Sequence, residues 1–137
     1  MDKLKEITEK IMLVRTSEEV IEHRQSLFNA ARKWWRANGD KIRDVDYVIV
    51  HVLGEGIVRE VYKPDKMTWH EETDPGKKEN NKPFEGSRMV FGTQDDSDEG
   101  DYCKTMIAPE KIRQKDIGKT LDEKYTKGQN PIRYTFL

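Results

Sequence analysis

The residues best suited to binding chemistry lie in the stretch Arg32–Arg36, where cations alternate with two tryptophans. This pattern suits stacking on nucleic-acid bases and ion pairing with phosphates. Trp34 and Trp35 are about 100° apart on a helix, so both cannot occupy the centre of one buried face. We therefore treat Trp35 and Arg36 as a candidate ligand wall. The alternative is an amphipathic helix whose tryptophans are core and whose charges are solvated.

Arginines within predicted strands form a second group of candidates. Arg59 and Arg133 lie between apolar neighbours, in GIVREVY and NPIRYTF. An arginine on a sheet face can clamp an anion with two parallel hydrogen bonds. The alternative is a cross-strand ion pair, for instance with Glu60 or Glu85. The full candidate ligand-binding set, which adds two further cations of the same patch, is Trp35, Arg36, Arg59, Arg88, Lys119 and Arg133.

No set of nucleophile, base and oxyanion donors stands out. His51 lies inside an apolar strand, where a lone histidine is more often a hydrogen-bonded core residue than a base or ligand. His70 and the two glutamates after it lack a fixed metal-ligand spacing. The acidic run 95–101 approaches a calcium loop, but its twelfth position is Met106 instead of Glu. We expect no catalytic residue, cofactor or metal site, and activity as an enzyme stays an open alternative.

Composition restricts the class of protein. The chain has 137 residues, 34% hydrophobic and 37% charged, with a net charge of −1. These values exclude a uniformly basic nucleic-acid binder but allow a local basic patch. One cysteine, Cys103, excludes an intrachain disulfide and fits a reducing compartment. Without an apolar run near 18 residues or a signal-peptide pattern, we expect a cytoplasmic protein that does not enter a membrane.

The segment Asp46–Lys63 is the predicted centre of the fold. Tyr47–Leu53 is almost entirely β-branched, aromatic or aliphatic, and Ile57–Lys63 alternates apolar and charged residues. The three residues between them include two glycines, which is typical of a β-hairpin. The first strand is apolar on both faces, so both faces must be covered. The second alternates as an outer or half-exposed strand should.

The remaining pattern predicts helices first and strands later. Residues 3–14 show helical spacing of apolar residues, and Thr16 with Glu19 forms a capping box for a second helix that continues to Gly39. Further strands are predicted near 67–70, 84–93, 102–108 and 132–137, with a helical turn after Pro109. The predicted fold class is α+β, with two N-terminal helices and a mostly antiparallel curled sheet or small partial barrel. We expect one domain, 1–137, with a helical part (1–39) packed on a β-rich part (46–137).

Several short phrases also suggest a known family. They are WWR at 34–36, YVIV at 47–50, GIVREVYKP at 56–64, FEG at 84–86, IGK at 117–119, EKY at 123–125 and NPIRY at 130–134. Over roughly residues 28–137 the chain resembles the domain that follows the nuclease domain in LEM-3-like GIY-YIG proteins, which also occurs alone in bacteria and phages. The GIY-YIG motif itself is absent, so the resemblance implies no nuclease activity. The hairpin after a helix is also similar to PUA-like folds such as EVE and ASCH domains, small barrels that bind RNA, DNA or modified bases.

Two functional hypotheses follow. The first is a small non-catalytic module with a PUA-like fold that recognises nucleic acid, a nucleotide or a modified base through a basic and aromatic pocket. The second is a phage or bacterial protein-interaction or inhibitor protein that uses acidic surface loops. The candidate contacts for a protein partner are Asp95, Asp96, Asp98 and Glu99.

Overall fold

The computed structural model describes residues 3–4, 7–24, 26–32, 42–72, 78–79, 82–83, 88–92, 106–126 and 132–135. The helices in this part of the chain are α1 (Glu18–His23), α2 (Leu27–Arg32), α3 (Glu110–Asp116) and α4 (Glu123–Thr126), with a 3-10 helix at Lys66–Thr68. The strands are β1 (Lys3–Leu4), β2 (Ile11–Thr16), β3 (Tyr47–Val52), β4 (Val58–Tyr62), β5 (His70–Glu72), β6 (Lys78–Glu79), β7 (Lys82–Pro83), β8 (Arg88–Val90), β9 (Thr120–Leu121) and β10 (Ile132–Tyr134).

Four strands form an open sheet in the order β10-β2-β3-β4. The pair β2 and β3 is parallel, whereas β10 with β2 and β3 with β4 are antiparallel. The α+β class is therefore confirmed, and the sheet is mixed, with one parallel pair between two antiparallel ones. The described strands do not close into a barrel. Two-stranded pairs, β1 with β9, β5 with β8 and β6 with β7, accompany this sheet.

The N-terminal helix predicted over residues 3–14 is wrong, because the chain forms β2 there. Ile11, Met12, Leu13 and Val14 are each at most 1% exposed. Four consecutive buried residues must be covered on all sides. An interior strand meets this condition, because neighbouring strands cover its two edges and packed layers cover its two faces. The helical spacing in this segment was incidental to that continuous apolar run. The N-terminal segment thus contributes an interior strand, in place of a helix packed against the sheet.

Within the described residues the second predicted helix is present as α1 and α2, and the predicted continuation over 33–39 lies outside them. Thr16 is the last residue of β2, and Ser17 caps α1 by accepting a hydrogen bond from the Val20 amide at 3.2 Å. The predicted cap at Thr16 was therefore wrong by one position. A second serine, Ser26, accepts from the Asn29 amide at 3.0 Å before α2 begins. Each serine satisfies an amide that the first turn leaves without a helical partner.

The open sheet separates two clusters of buried side chains. The first includes Met12 and Val14 of β2, Val48 and Val50 of β3, and Leu27, Phe28 and Ala31 of α2. The second includes Leu13 and Ile49 from the other face of the same strands, together with Leu4, Ala108 and Leu121. Ile112 of α3 and Tyr125 of α4 pack against the second cluster. Helices therefore cover both faces of the sheet, as a strand apolar on both sides requires.

The predicted hairpin is confirmed. β3 and β4 pair antiparallel around a turn in which Gly54 has φ of +88°. At this φ a Cβ atom would clash with the backbone, so glycine is the favoured residue at position 54. β4 is an outer strand of the four-stranded sheet, as predicted, but its residues are buried except for the partly exposed Arg59. Backbone bonds from Val58 N to Lys119 O (3.0 Å) and from Ala108 N to Val61 O (3.1 Å) cover its outer edge.

Several later elements agree with the sequence pattern. The helical turn after Pro109 is α3, with Pro109 as its N-cap, and the C-terminal strand is β10. The strand predicted over 84–93 is present as β8, which pairs with β5. Among the described residues, none of the helices is both long and apolar enough to cross a bilayer.

Candidate ligand-binding site

A pocket of about 340 Å³ opens where the parallel strands β2 and β3 end. It is lined by Arg15 from β2, His51 and Val52 from β3, Leu53, Gly54, Glu55 and Gly56 from the hairpin turn, Thr120 and Leu121 from β9, and Thr126 from α4. In open sheets with parallel strands, ligands commonly bind outside the carboxyl ends of those strands. The volume falls within the range typical of small-molecule sites.

Two polar side chains define the strand wall of this pocket. Arg15 and His51 are register partners in the parallel pair of β2 and β3. His51 is only 3% exposed. Burial, and secondarily the positive charge of Arg15, lowers the pKa of His51 to about 4. At neutral pH the wall therefore presents a permanent cation beside a neutral imidazole, which carries one donor and one acceptor nitrogen.

Two arginines attach the short helix α4 to the sheet. Arg15 donates from Nη1 to the carbonyl oxygen of Thr126 at 3.3 Å. Arg133, on the neighbouring strand β10, donates from Nη1 to the carbonyl oxygen of Lys124 at 2.9 Å. Carbonyls in a last helical turn have no intrahelical donor and carry partial negative charge, so cations stabilise them. These contacts fix the α4 wall of the pocket and give Arg133 a structural task.

Arg59, which the sequence suggested as an anion clamp, is engaged by carboxylates. Its Nε and Nη2 donate to the two carboxylate oxygens of Glu55 at 3.2 and 3.3 Å. The guanidinium also pairs with Glu18 at the start of α1. The Glu55 contact, ahead of the Glu18 contact, raises the pKa of Arg59. This is the ion-pair alternative, with partners other than those expected from the sequence.

Glu60, one of the partners expected for Arg59, instead binds Arg113 of α3. Arg113 donates from Nε and Nη2 to the two oxygens of Glu60 at 2.9 and 3.1 Å. This bidentate pair raises the pKa of Arg113. It ties α3 to β4, so the charge of Glu60 serves the fold and is not presented in the pocket.

The structure does not bring Arg59 and Arg133 together. They lie on the two outer strands of the sheet, β4 and β10. Arg59 bonds to α1, whose Ile21 packs on the first core cluster, whereas Arg133 bonds to α4, whose Tyr125 packs on the second. A single patch containing both guanidinium groups is therefore incompatible with this sheet.

The other predicted ligand residues are placed in different ways. Lys119 precedes Thr120, a pocket residue, and its carbonyl accepts from Val58 N. The backbone of Arg88 belongs to β8, in the separate pair with β5. Trp35, Arg36 and the acidic run 95–101 lie outside the described residues.

Arg32, the first cation of the predicted stacking stretch, is within the described part of the chain. It is 2% exposed at the end of α2. Its Nε donates to Asn29 Oδ1 at 2.7 Å and its Nη1 to the Gly92 carbonyl at 3.2 Å. This side chain joins α2 to the segment after β8, so it is not available for phosphate pairing.

Sequence reasoning missed Arg15 and judged His51 to be core. Arg15 directly follows the apolar run 11–14, and His51 interrupts the apolar run of β3. One charged and one titratable residue near the ends of two apolar strands would have been the available signal, once both segments were taken as parallel strands. The assignment of 3–14 to a helix hid that signal.

Across the residues that the structure describes, no three His, Cys, Asp or Glu side chains gather as a possible metal-ligand set. No family model matches the chain, and comparison with curated proteins and with solved structures finds no match. The geometry of the pocket is therefore the basis on which we assign a function.

Proposed function

We propose that the protein is a small non-catalytic binding module that holds a phosphate-bearing ligand, such as a nucleotide, in the pocket at the ends of β2 and β3. The observation that carries the proposal is the side-by-side placement of Arg15 and His51 in that pocket. A guanidinium matches the geometry of phosphate oxygens, and a neutral imidazole can add a directed hydrogen bond.

The pocket also supplies uncharged polar groups. Thr120 of β9 and Thr126 of α4 line it. Hydroxyl groups can donate to or accept from a ligand, so they add orientation without adding charge. Val52, Leu53 and Leu121 provide apolar surface beside them. A few polar groups on a mainly apolar wall are typical of sites for small organic ligands.

The proposal retains the ligand class expected from the sequence while assigning its pocket to other residues. The same proposal includes a relationship of this fold to PUA-like domains. It also includes a base within a nucleic acid as the bound ligand. Trp35, Arg36, Arg88 and Lys119 remain candidates for contacts with the rest of such a ligand.

Calorimetric titration of the protein with inorganic phosphate and with a nucleoside monophosphate tests the proposal. Low ionic strength is appropriate because salt screens the attraction between charges. The Arg15→Gln variant should weaken binding by about tenfold or more, since hydrogen bonds to charged groups are worth about 1.5–3 kcal/mol. Arg15→Lys should bind at an intermediate level, because it keeps the charge and loses the planar fork.

The exposed Arg43 offers a matched control, because Arg43→Gln changes the net charge equally at a position outside the pocket lining. Its binding should equal that of the wild type. Equal losses in both variants would indicate a non-specific charge effect and refute the pocket assignment. Thermal melts of each variant confirm that binding is measured on folded protein.

A further inference from the structure

The hairpin turn contributes an acidic residue, Glu55, to the lining of the pocket, in which Arg15 is the basic residue. Glu55 lines the pocket, and two backbone hydrogen bonds hold the turn that carries it. The Glu55 amide donates to the Val52 carbonyl at 3.0 Å, and Leu53 N donates to Thr16 O at 2.8 Å. The turn is thus joined to both parallel strands at the ends that form the pocket.

The Glu55 side chain is also fixed in direction. Arg59 contacts both of its oxygens, at 3.2 and 3.3 Å, and is itself held by Glu18 of α1. A carboxylate offers about four lone-pair sites, so a bidentate arginine occupies only about half of them. Glu55 therefore retains the capacity to accept hydrogen bonds from a ligand. An ionised carboxylate cannot donate, so it attracts donor groups and repels anions.

We propose that Glu55 makes the pocket selective for phosphorylated ribose, with Arg59 as the residue that positions it. This inference rests on the proposed function and specifies its ligand. The phosphate would lie at Arg15 and His51, and the vicinal hydroxyls of the sugar would donate to Glu55. A nucleoside monophosphate and a free sugar phosphate share this chemistry. Inorganic phosphate carries no such hydroxyl pair, and a deoxygenated sugar has lost it.

The arrangement explains why the charge of Glu55 does not cancel that of Arg15 at the phosphate. Glu55 has its own cation in Arg59, which lies between two carboxylates. Arg15 belongs to a different strand and contacts α4 instead. The pocket thus separates a positive wall from an acceptor wall. A ligand with its anion and its hydroxyls at different ends matches that separation.

Competition between four probes tests the inference: a ribonucleoside 5′-monophosphate, its 2′,3′-dideoxy analogue, ribose 5-phosphate and inorganic phosphate. The wild type should prefer the ribonucleotide over the dideoxy analogue by about tenfold or more, as expected for hydrogen bonds to a charged acceptor. Comparable affinity for ribose 5-phosphate would identify the sugar phosphate as sufficient. A large loss with that probe would indicate that the base is also bound, with the preference for hydroxyls intact.

Variants assign the preference to residues. Glu55→Gln should reduce the preference to about twofold or less while affinity for inorganic phosphate is kept or increased, because a negative charge is removed. Arg59→Gln should also reduce the preference, and Arg59→Lys should restore part of it. Glu22→Gln, an exposed carboxylate change on α1, is the matched control and should leave all four affinities unchanged.

The outcomes separate this inference from the proposed function. Phosphate binding that depends on Arg15 but shows no preference for the ribonucleotide would overturn the role of Glu55 and leave the proposed function intact. A preference that survives in Glu55→Gln would overturn it equally. If none of the four probes binds the wild type, both proposals are wrong.

Discussion

Arg15 and His51 are register partners near the carboxyl ends of two parallel strands, so a permanent cation lies beside a buried imidazole. Burial and the Arg15 charge both oppose protonation of His51. An anion bound between them would reverse the second effect, because it favours the charged imidazolium. Anion binding should therefore favour protonation of His51, and protonation of His51 should favour anion binding.

The first prediction concerns this titration. In the free protein, the NMR signals of the His51 ring should report a pKa of about 4. This pKa should rise in the Arg15→Gln variant, and it should also rise when phosphate is added to the wild type. NMR spectroscopy measures it, with the exposed His23 as the control resonance. A His51 pKa that is insensitive to both changes would contradict the assigned pocket.

The same shift sets a pH dependence of stability. The folded pKa of His51 lies below the ordinary value of 6.5. The unfolded chain therefore takes up the proton first, and the stability associated with neutral His51 is lost as the pH falls from 6.5 through about 4. The variant His51→Gln should lose less free energy of unfolding than the wild type across this window.

The parts of the fold that sequence predicted correctly depend on local chemistry. The hairpin follows from two β-rich runs around Gly54 and Gly56, and α3 follows from Pro109 and Glu110 at its start. The strand β2 could not be inferred in this way. Its apolar run is compatible with a helix or a buried strand, and only its partner β3, distant in sequence, decides between them.

The candidate site was harder to predict for the same reason. Arg59 and Arg133 each had the expected strand context, but the strand order places them at opposite edges of the sheet. Arg15 and His51 meet only because β2 and β3 pair in parallel, with the register set by buried residues on both faces. The type and spacing of residues along the chain do not by themselves show the order of the strands in the sheet.

The second prediction concerns the ion pair between Arg113 and Glu60. Glu60 is 7% exposed, and its loss would leave a guanidinium without its bidentate partner. Glu60→Gln should lower the free energy of unfolding by about 2–3 kcal/mol. Denaturant titration monitored by circular dichroism measures this difference.

The same arginine supplies the control. Its Nη1 contacts Glu110 at 3.0 Å, but the Glu110 side chain is 68% exposed. Glu110→Gln should therefore change stability by less than about 0.5 kcal/mol. Equal losses of unfolding free energy in Glu60→Gln and Glu110→Gln would contradict the prediction that the buried carboxylate contributes more than the exposed one.

The third prediction concerns Asp116, which is 1% exposed and whose carboxylate oxygens have no hydrogen-bond partner in the described structure. Burial raises its pKa, with an opposing effect of Lys115 and a smaller reinforcing effect of Glu9. The raised folded pKa means that stability is present at low pH and is lost as the pH rises through that value. Asp116→Asn, which stays neutral, should gain about 1 kcal/mol at pH 7. The gain should vanish as the pH falls to the ordinary aspartate range.

Glu9, which accepts from Lys115 Nζ at 2.7 Å, should behave in the opposite way. Burial acts to raise its pKa, but the hydrogen bonds and charge of its neighbourhood outweigh burial and lower it. Its contribution is therefore present at neutral pH and lost in acid. Glu9→Gln should destabilise the fold at pH 7 by less than about 1 kcal/mol. Thermal melts of Asp116→Asn, Glu9→Gln and the wild type at several pH values give the stability difference of each variant as a function of pH. The two differences should change with pH in opposite directions as described, and a change in the same direction would contradict this account.

The fourth prediction distinguishes the two neighbouring hydroxyls at the start of α1. Ser17 Oγ accepts from the Val20 amide, whereas Thr16 Oγ1 is buried without a hydrogen-bond partner in the described structure. Ser17→Ala should lower the free energy of unfolding by about 1 kcal/mol, as is usual for loss of an N-cap. Thr16→Val keeps the shape and removes an unsatisfied polar atom, so stability should be unchanged or higher by up to about 1 kcal/mol. Chemical denaturation measures both, and the reverse order would mean that Thr16 is the cap, as the capping-box pattern in the sequence suggested.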